Sequence, residues 1–412
     1  MNDRSGPEVR SAVSARLPEL DALRALAVFA VLGSHFGALG KLDDLRGALP
    51  VPVLEILRIW ERSGWLGVDL FFVLSGFLVS GLLFREHSRH GSIDGRAFFL
   101  RRGLKIYPAF YTFLTITAAM QLTLTVPPPW LVFRARLVGE ACFVQNYYAS
   151  LWHHTWTLAV EEHFYALLLI LAMVLARLGR GKADPFRPLP AITAVVAVAV
   201  LGCRVVLGYV IGYADSIEKQ ELLTVWTHTR IDSLLFGVLL SYSWHHHAER
   251  TRRWLANVGA LPWLIAVAGI LPALMWDRHL SHGFIQTFGF TLQYLAFGSL
   301  LLAVMAWGSA AASAKALRLL APVSFVGRHS YSVYLWHEVV AVYGGHYFQV
   351  WTRSTRLVAI EIPLYLAASV IAGIVMSLLV EQPVLRVRER WIPSRNSGGG
   401  IALGALTSQT AC

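Results

Sequence analysis

Cysteine is nearly absent. Cys142, Cys203 and Cys412 are the only three in 412 residues, without metal-ligand spacing and without an evident disulfide framework. Charge is scarce as well. Asp, Glu, Lys and Arg make up 15% of the chain, against about 25% in a soluble globular protein. That shortage argues against an ordinary soluble fold. No internal repeat is evident, which disfavours the commoner transporter designs. The first apolar stretch has no clear cleavage site and is too long for a signal-peptide core, so it reads as a retained span.

What is present is apolar. Hydrophobic residues are 56% of the chain and the mean hydropathy is +0.53. Fourteen Trp, 14 Tyr and 21 Phe supply the rings that gather at membrane interfaces. The expected fold is all-α: a polytopic membrane helical bundle of about ten transmembrane helices. The spans fall near 17–40, 64–84, 106–125, 152–176, 189–212, 226–243, 255–276, 284–307, 329–349 and 357–380, each close to the length that crosses the hydrocarbon core. With a cytoplasmic N-terminus, the inner segments carry 23 Lys and Arg and the outer segments 10. The positive-inside rule then places both termini in the cytoplasm. The net charge of +11 is mostly this topology signal, and a nucleic-acid partner is not expected. Residues 1–16 read as a cytoplasmic tail, 17–390 as the transmembrane domain, and 391–412, glycine-rich from Ser394, as a disordered tail.

The polar residues inside these spans are where chemistry can reside. Arg24 and His35 lie eleven residues apart on the first span. At 100° and 1.5 Å per residue they share one helix stripe, roughly 16 Å apart along the axis. Charged groups in a membrane usually face a protein-lined cavity, although a purely structural pair fits the same positions. In the second span, Asp69 and Gly76 share a face, and Ser75, Gly76 and Gly81 permit close approach by a helix or a ligand. Asp69 lies at about the depth of His35, where a carboxylate would fix an imidazole tautomer. Arg101, Arg102 and Lys105 close the following inner loop, either as positive-inside anchors or as a phosphate clamp.

Glu161 and Glu162 are adjacent acids two turns inside the fourth span, and Tyr165 is one turn from Glu161. They suit a polar pocket, a proton path or an interhelical salt bridge. Arg230 and Asp232, two apart, point to different sides of a helix and need separate partners. His337 and Glu338 sit deep in an apolar run, and a lone histidine there is more often a hydrogen-bonded packing residue. The His245–His247 run reads as a solvated inner loop, with no support for a metal.

Six segments in order, LDALRALAVFAVLGSH, GVDLFFVLSGFL, FFLRRGLKIYP, TWTLAVEEHFY, RIDSLLFG and SYSVYLWH, resemble the acyltransferase-3 family of membrane-bound acyltransferases, which includes glycan O-acetyltransferases and macrolide acyltransferases. The likeness spans about residues 17 to 390. The family's Arg/Lys-X10-His motif falls on Arg24 and His35, its RxxR motif on Arg102 and Lys105, and its Ser-Gly-Phe motif on Ser75, Gly76 and Phe77. Lys105 keeps the charge of the last Arg but not its bidentate geometry.

The resemblance implies acetyl-CoA or another acyl-CoA as cytoplasmic cosubstrate, with its phosphates on Arg24, Arg102 and Lys105. It places the thioester past Ser75 and Gly76. His35 would be the general base, oriented by Asp69 or Glu161, and transfer would be direct, since no Cys or base-paired Ser stands out as nucleophile. The acceptor would be a sugar hydroxyl of a cell-envelope glycan, or else a macrolide or other small natural product, and the site the inner membrane. The extra hydrolase-like domain of many members has no counterpart in these residues, which implies a stand-alone transferase. A reading of another class is a proton-coupled transporter with His35, Asp69, Glu161 and Glu162 as relay, for which a cytoplasmic phosphate clamp has no use.

Overall fold

The structure is a computed structural model that describes residues 17–36, 42, 49–125, 128–148, 150–212, 223–275, 283–311, 314–347 and 358–393. Residues 1–16 and 394–412 of the two expected tails lie outside them, whereas Trp391, placed in the second tail, ends a helix. Among the described residues the main α-helices are α1 (Pro18–Ser34), α2 (Val51–Ser63), α3 (Leu66–His90), α4 (Gly95–Leu124), α5 (Trp130–Ala141), α6 (Trp156–Leu178), α7 (Leu189–Val205), α8 (Thr227–His246), α9 (Ala248–Val258), α10 (Leu261–Met275), α11 (Phe290–Ala311), α12 (Ala314–Arg328), α13 (Ser330–Val339), α14 (Val358–Met376) and α15 (Gln382–Trp391). Short π turns follow α7, α13 and α14 and precede α11.

A helix occupies each of the ten expected spans. Among the described residues, five helices are by themselves long and apolar enough to cross a membrane, or six if the sharply bent α9–α10 pair forms one span. The helices in the other expected spans are shorter or carry charged residues. α1 has 17 residues and carries Glu19, Asp21 and Arg24, and α8 carries Arg230 and Asp232. Such helices hide polar groups inside the bundle, away from lipid.

α3 is the central strut. It packs on α1, α6, α8 and α11 and is buried over most of its length, as expected of a helix apolar on all sides. Its approach to α8 depends on two glycines. A Cβ on Gly76 would stand 1.9 Å from the Leu234 carbonyl oxygen, and one on Gly237 would stand 2.2 Å from that of Val73.

Three connections differ from the sequence reading. The segment carrying Arg101, Arg102 and Lys105 is the opening of α4, not a loop. Asp94 caps it by accepting the Ala97 N–H at 3.0 Å, and α3 is stopped just before by Gly91 at φ +65°. The connections from α1 to α3 and from α4 to α6 contain α2 and α5. On α2, Trp60 donates its Nε1–H to the Phe29 carbonyl at 2.9 Å and meets Phe36 edge-on at 5.0 Å, which pins the end of α1 beside His35. The His245–His247 run ends α8 rather than forming a solvated loop. His245 and His246 are half-buried, against Arg85 and Asp184 respectively.

Candidate active site

An open cleft runs between α1, α3, α4, α6, α12 and α13. Arg24, Arg102, Lys105 and Arg328 line it, and the first three belong to the end of the bundle where α1 begins. Arg24 Nη1 holds Asp21 at 3.1 Å. Arg102 and Lys105, three residues apart, project from one face of α4. Farther in, Tyr165 donates to Glu161 Oε2 at 3.0 Å and shares a 2.7 Å hydrogen bond with Ser75 Oγ, while Arg102 stands 5.4 Å over the Tyr165 ring. The cleft reaches Thr157 and Tyr334, whose hydroxyls meet at 2.7 Å.

Behind Tyr334 lies a second constellation. Its hydroxyl donates to the His154 carbonyl at 2.6 Å. The His154 ring stands 5.1 Å from His337, and His337 stands 4.8 Å from His35, both edge-on. Glu338 pairs with His154 Nδ1. His154 and His337 are buried, whereas His35, at the end of α1, is half-exposed. Three helical regions distant in sequence thus bring three imidazoles and a carboxylate together.

The turn carrying His154 is anchored from below. Glu140 on α5 accepts the N–H groups of Leu151 and Trp152 at 3.2 and 3.1 Å, and the Thr155 hydroxyl. Burial pushes the Glu140 carboxyl up to about 7, against the pull of these donors.

Several expected partners meet and others do not. Arg24, Arg102, Lys105, Ser75, Glu161 and Tyr165 share the cleft. Gly76 does not line it. It faces Gly237 and Leu234 on α8, because only a residue without a side chain fits that contact. Asp69 does not orient His35. Its Oδ1 accepts from Arg230 at 2.8 Å and its Oδ2 has no hydrogen-bond partner. Glu161 is likewise bonded to Tyr165 rather than to His35.

Glu162 turns to α4 and accepts from Tyr107 at 2.9 Å. Arg230 and Asp232 have separate partners, Asp69 and, at 2.6 Å, Arg204. His337, which reads as a packing residue in sequence, lies against His35. The sequence reading missed His154, Tyr334 and Arg328 altogether. His154 is one of two adjacent histidines before an apolar helix, a polar doublet at a span boundary that carries some signal. Tyr334 and Arg328 carry none. Among the described residues, no group of three His, Cys, Asp or Glu could hold a metal.

The O-acetyltransferase OatA of Staphylococcus aureus strain NCTC 8325 is 28% identical over 354 residues, covering 81% of this chain and 52% of that protein. A putative O-acetyltransferase of strain COL, SACOL0978, is 24% identical over 358 residues, with the same coverage. The chain therefore spans about half the length of the curated relatives it matches. No solved structure matches. The sequence profile of the acyltransferase domain family, acyltransferase-3, matches residues 17–381, and the chain belongs to that family.

Proposed function

We propose that the chain moves an acyl group, acetyl in the first instance, from cytoplasmic acyl-CoA to a sugar hydroxyl of a cell-envelope glycan, with His35 as general base. The observation that carries this reading is the continuity of the two constellations. A cation-lined cleft ends at Tyr334, and Tyr334 is hydrogen-bonded to the turn that presents His154 to His337 and His35.

The donor end suits the anionic part of acyl-CoA. Arg24, Arg102 and Lys105, joined by Arg328, concentrate positive charge where phosphate oxygens would be received. The long apolar flanks between Ser75 and Leu158 accept the pantetheine arm. The thioester then comes to the Tyr334–Thr157 end. His35, half-exposed at the far end of α1, faces an acceptor arriving from the other side of the membrane.

His35 takes the proton of the acceptor hydroxyl as its oxygen attacks the thioester carbonyl. The C–O bond forms, the C–S bond breaks, and the proton ends on the departing thiolate. No covalent acyl-enzyme is needed. In this reading ten spans place both termini in the cytoplasm of an inner-membrane protein, with the cationic mouth on the cytoplasmic side.

Thiol release from acetyl-CoA by the purified full chain in nanodiscs, with a panel of envelope glycans, longer acyl donors and macrolides, tests the proposal. Acceptor-dependent release with one glycan supports it. Release with a macrolide alone moves the acceptor to that class, and no release with any pair rejects the transferase.

A further inference from the structure

His337 presents a buried acceptor atom that the fold leaves unused. Its Nδ1 lies 2.5 Å from the Tyr334 carbonyl oxygen. A carbonyl only accepts, so the proton of the neutral ring is on Nδ1 and the lone pair on Nε2. Nε2 is buried without a hydrogen-bond partner, in a side chain of 0% exposure. An orphaned buried acceptor is costly and rare. It lies in the ring that stands 4.8 Å from His35 at an interplanar angle of 73°.

The surroundings hold His337 in this state. His154 Nε2 points at the Leu335 carbonyl at 3.2 Å, and its Nδ1 faces Glu338. The His154–Glu338 contact walls the far side of the His337 ring. The ring is thus fixed at Nδ1, and its remaining nitrogen has no other fixed role.

We infer that His337 Nε2 receives an N–H of His35 when His35 takes the hydroxyl proton, so that His337 orients the base and steadies its imidazolium in the transition state. His337 is then a positioning residue, doing for His35 what a carboxylate does in many acyl-transfer sites. The step adds no proton to the reaction. The hydroxyl proton still passes through His35 to the thiolate, and the second His35 N–H is only hydrogen-bonded. The inference rests on the transferase reading above.

Asparagine and glutamine separate the two nitrogens of His337. His337→Asn puts an amide N–H near Nδ1, where it still serves the Tyr334 carbonyl, and removes the Nε2 acceptor. His337→Gln reaches the position of Nε2 with an amide oxygen. In the full chain in nanodiscs, His337→Asn is expected to keep the wild-type thermal midpoint and acetyl-CoA KM while kcat falls about 100-fold, within the usual worth of a general-base assembly.

His337→Gln is expected to exceed His337→Ala in kcat by about tenfold, part of the same range. A kcat for His337→Asn within threefold of wild type overturns the inference. If His337→Asn does not fold, the glutamine comparison decides, and equal kcat for His337→Gln and His337→Ala overturns it. Loss of transfer in His35→Ala with full activity in His337→Asn rejects only this inference. Absence of wild-type transfer rejects the reading on which it rests.

Discussion

Asp69 on α3 and Arg230 on α8 hold each other at 2.8 Å across 161 residues of sequence, both almost fully buried. The Arg230 guanidinium also stands 3.8 Å over the Phe290 ring. This pair ties the central strut to its closest neighbour. Asp69→Leu or Arg230→Met alone is expected to cost about 3–5 kcal/mol by stranding a buried charge. The double variant should recover most of that loss. Thermal unfolding in nanodiscs measures it. A fully stable Asp69→Leu protein without transfer activity would return Asp69 to the catalytic machinery.

Gly76 makes a parallel case. An added methyl at 1.9 Å from the Leu234 oxygen forces α3 and α8 apart. Gly76→Ala is expected to cost about 1–3 kcal/mol, the usual penalty of overpacking. The acetyl-CoA KM of the folded fraction should stay unchanged. A raised KM at unaltered stability would make Gly76 a donor contact after all.

In the proposed reading, the cleft cations hold the donor. Arg24→Ala and Arg102→Ala are each expected to raise the acetyl-CoA KM by about 10- to 100-fold, the value of one charge-assisted hydrogen bond of about 1.5–3 kcal/mol. Binding of the acceptor should be unaffected. Lys105→Arg, which adds a bidentate fork, should lower the donor KM. Initial-rate kinetics with each substrate varied in turn distinguishes these effects.

Glu140 gives the His154 turn a pH dependence. Burial raises its carboxyl from 4.5 to about 7, so the folded state favours the protonated form. That contribution to stability is fully present below about 4.5 and is lost as the pH rises through about 7. Hydrogen exchange of residues 150–155, corrected for the intrinsic rate, should therefore accelerate across neutrality in the wild type. Glu140→Gln should flatten that trend. An identical profile in both proteins would contradict the assignment.

How much of this was legible in the sequence depends on the kind of information each residue carries. Apolar runs marked where helices lie, because hydropathy is local, and five or six of those helices are long and apolar enough by themselves to cross a membrane. The eleven-residue spacing predicted Arg24 and His35 on one stripe of a single helix, but α1 ends at Ser34 and His35 caps it. The two-residue spacing of Arg230 and Asp232 required separate partners, and the fold supplies Asp69 and Arg204.

What periodicity could not supply was the pairing between helices. Asp69 looked plausible beside His35 by depth, and only the rotation of each helix about its axis decides which side chain meets that histidine. α3 turns Asp69 toward α8 because Gly76 and Gly237 demand that contact. α13 turns His337 toward α1. The outer helices α2 and α5 were illegible for a different reason: each is too short and too polar to resemble a span.

The central claim is that His35 removes the acceptor hydroxyl proton during transfer from acyl-CoA. Its most direct test is acceptor-dependent thiol release from acetyl-CoA by His35→Ala beside the wild type, in nanodiscs, with donor binding measured on the same samples. The account predicts that His35→Ala binds acetyl-CoA as the wild type does and loses transfer by about 100-fold or more. Wild-type transfer by His35→Ala would contradict it.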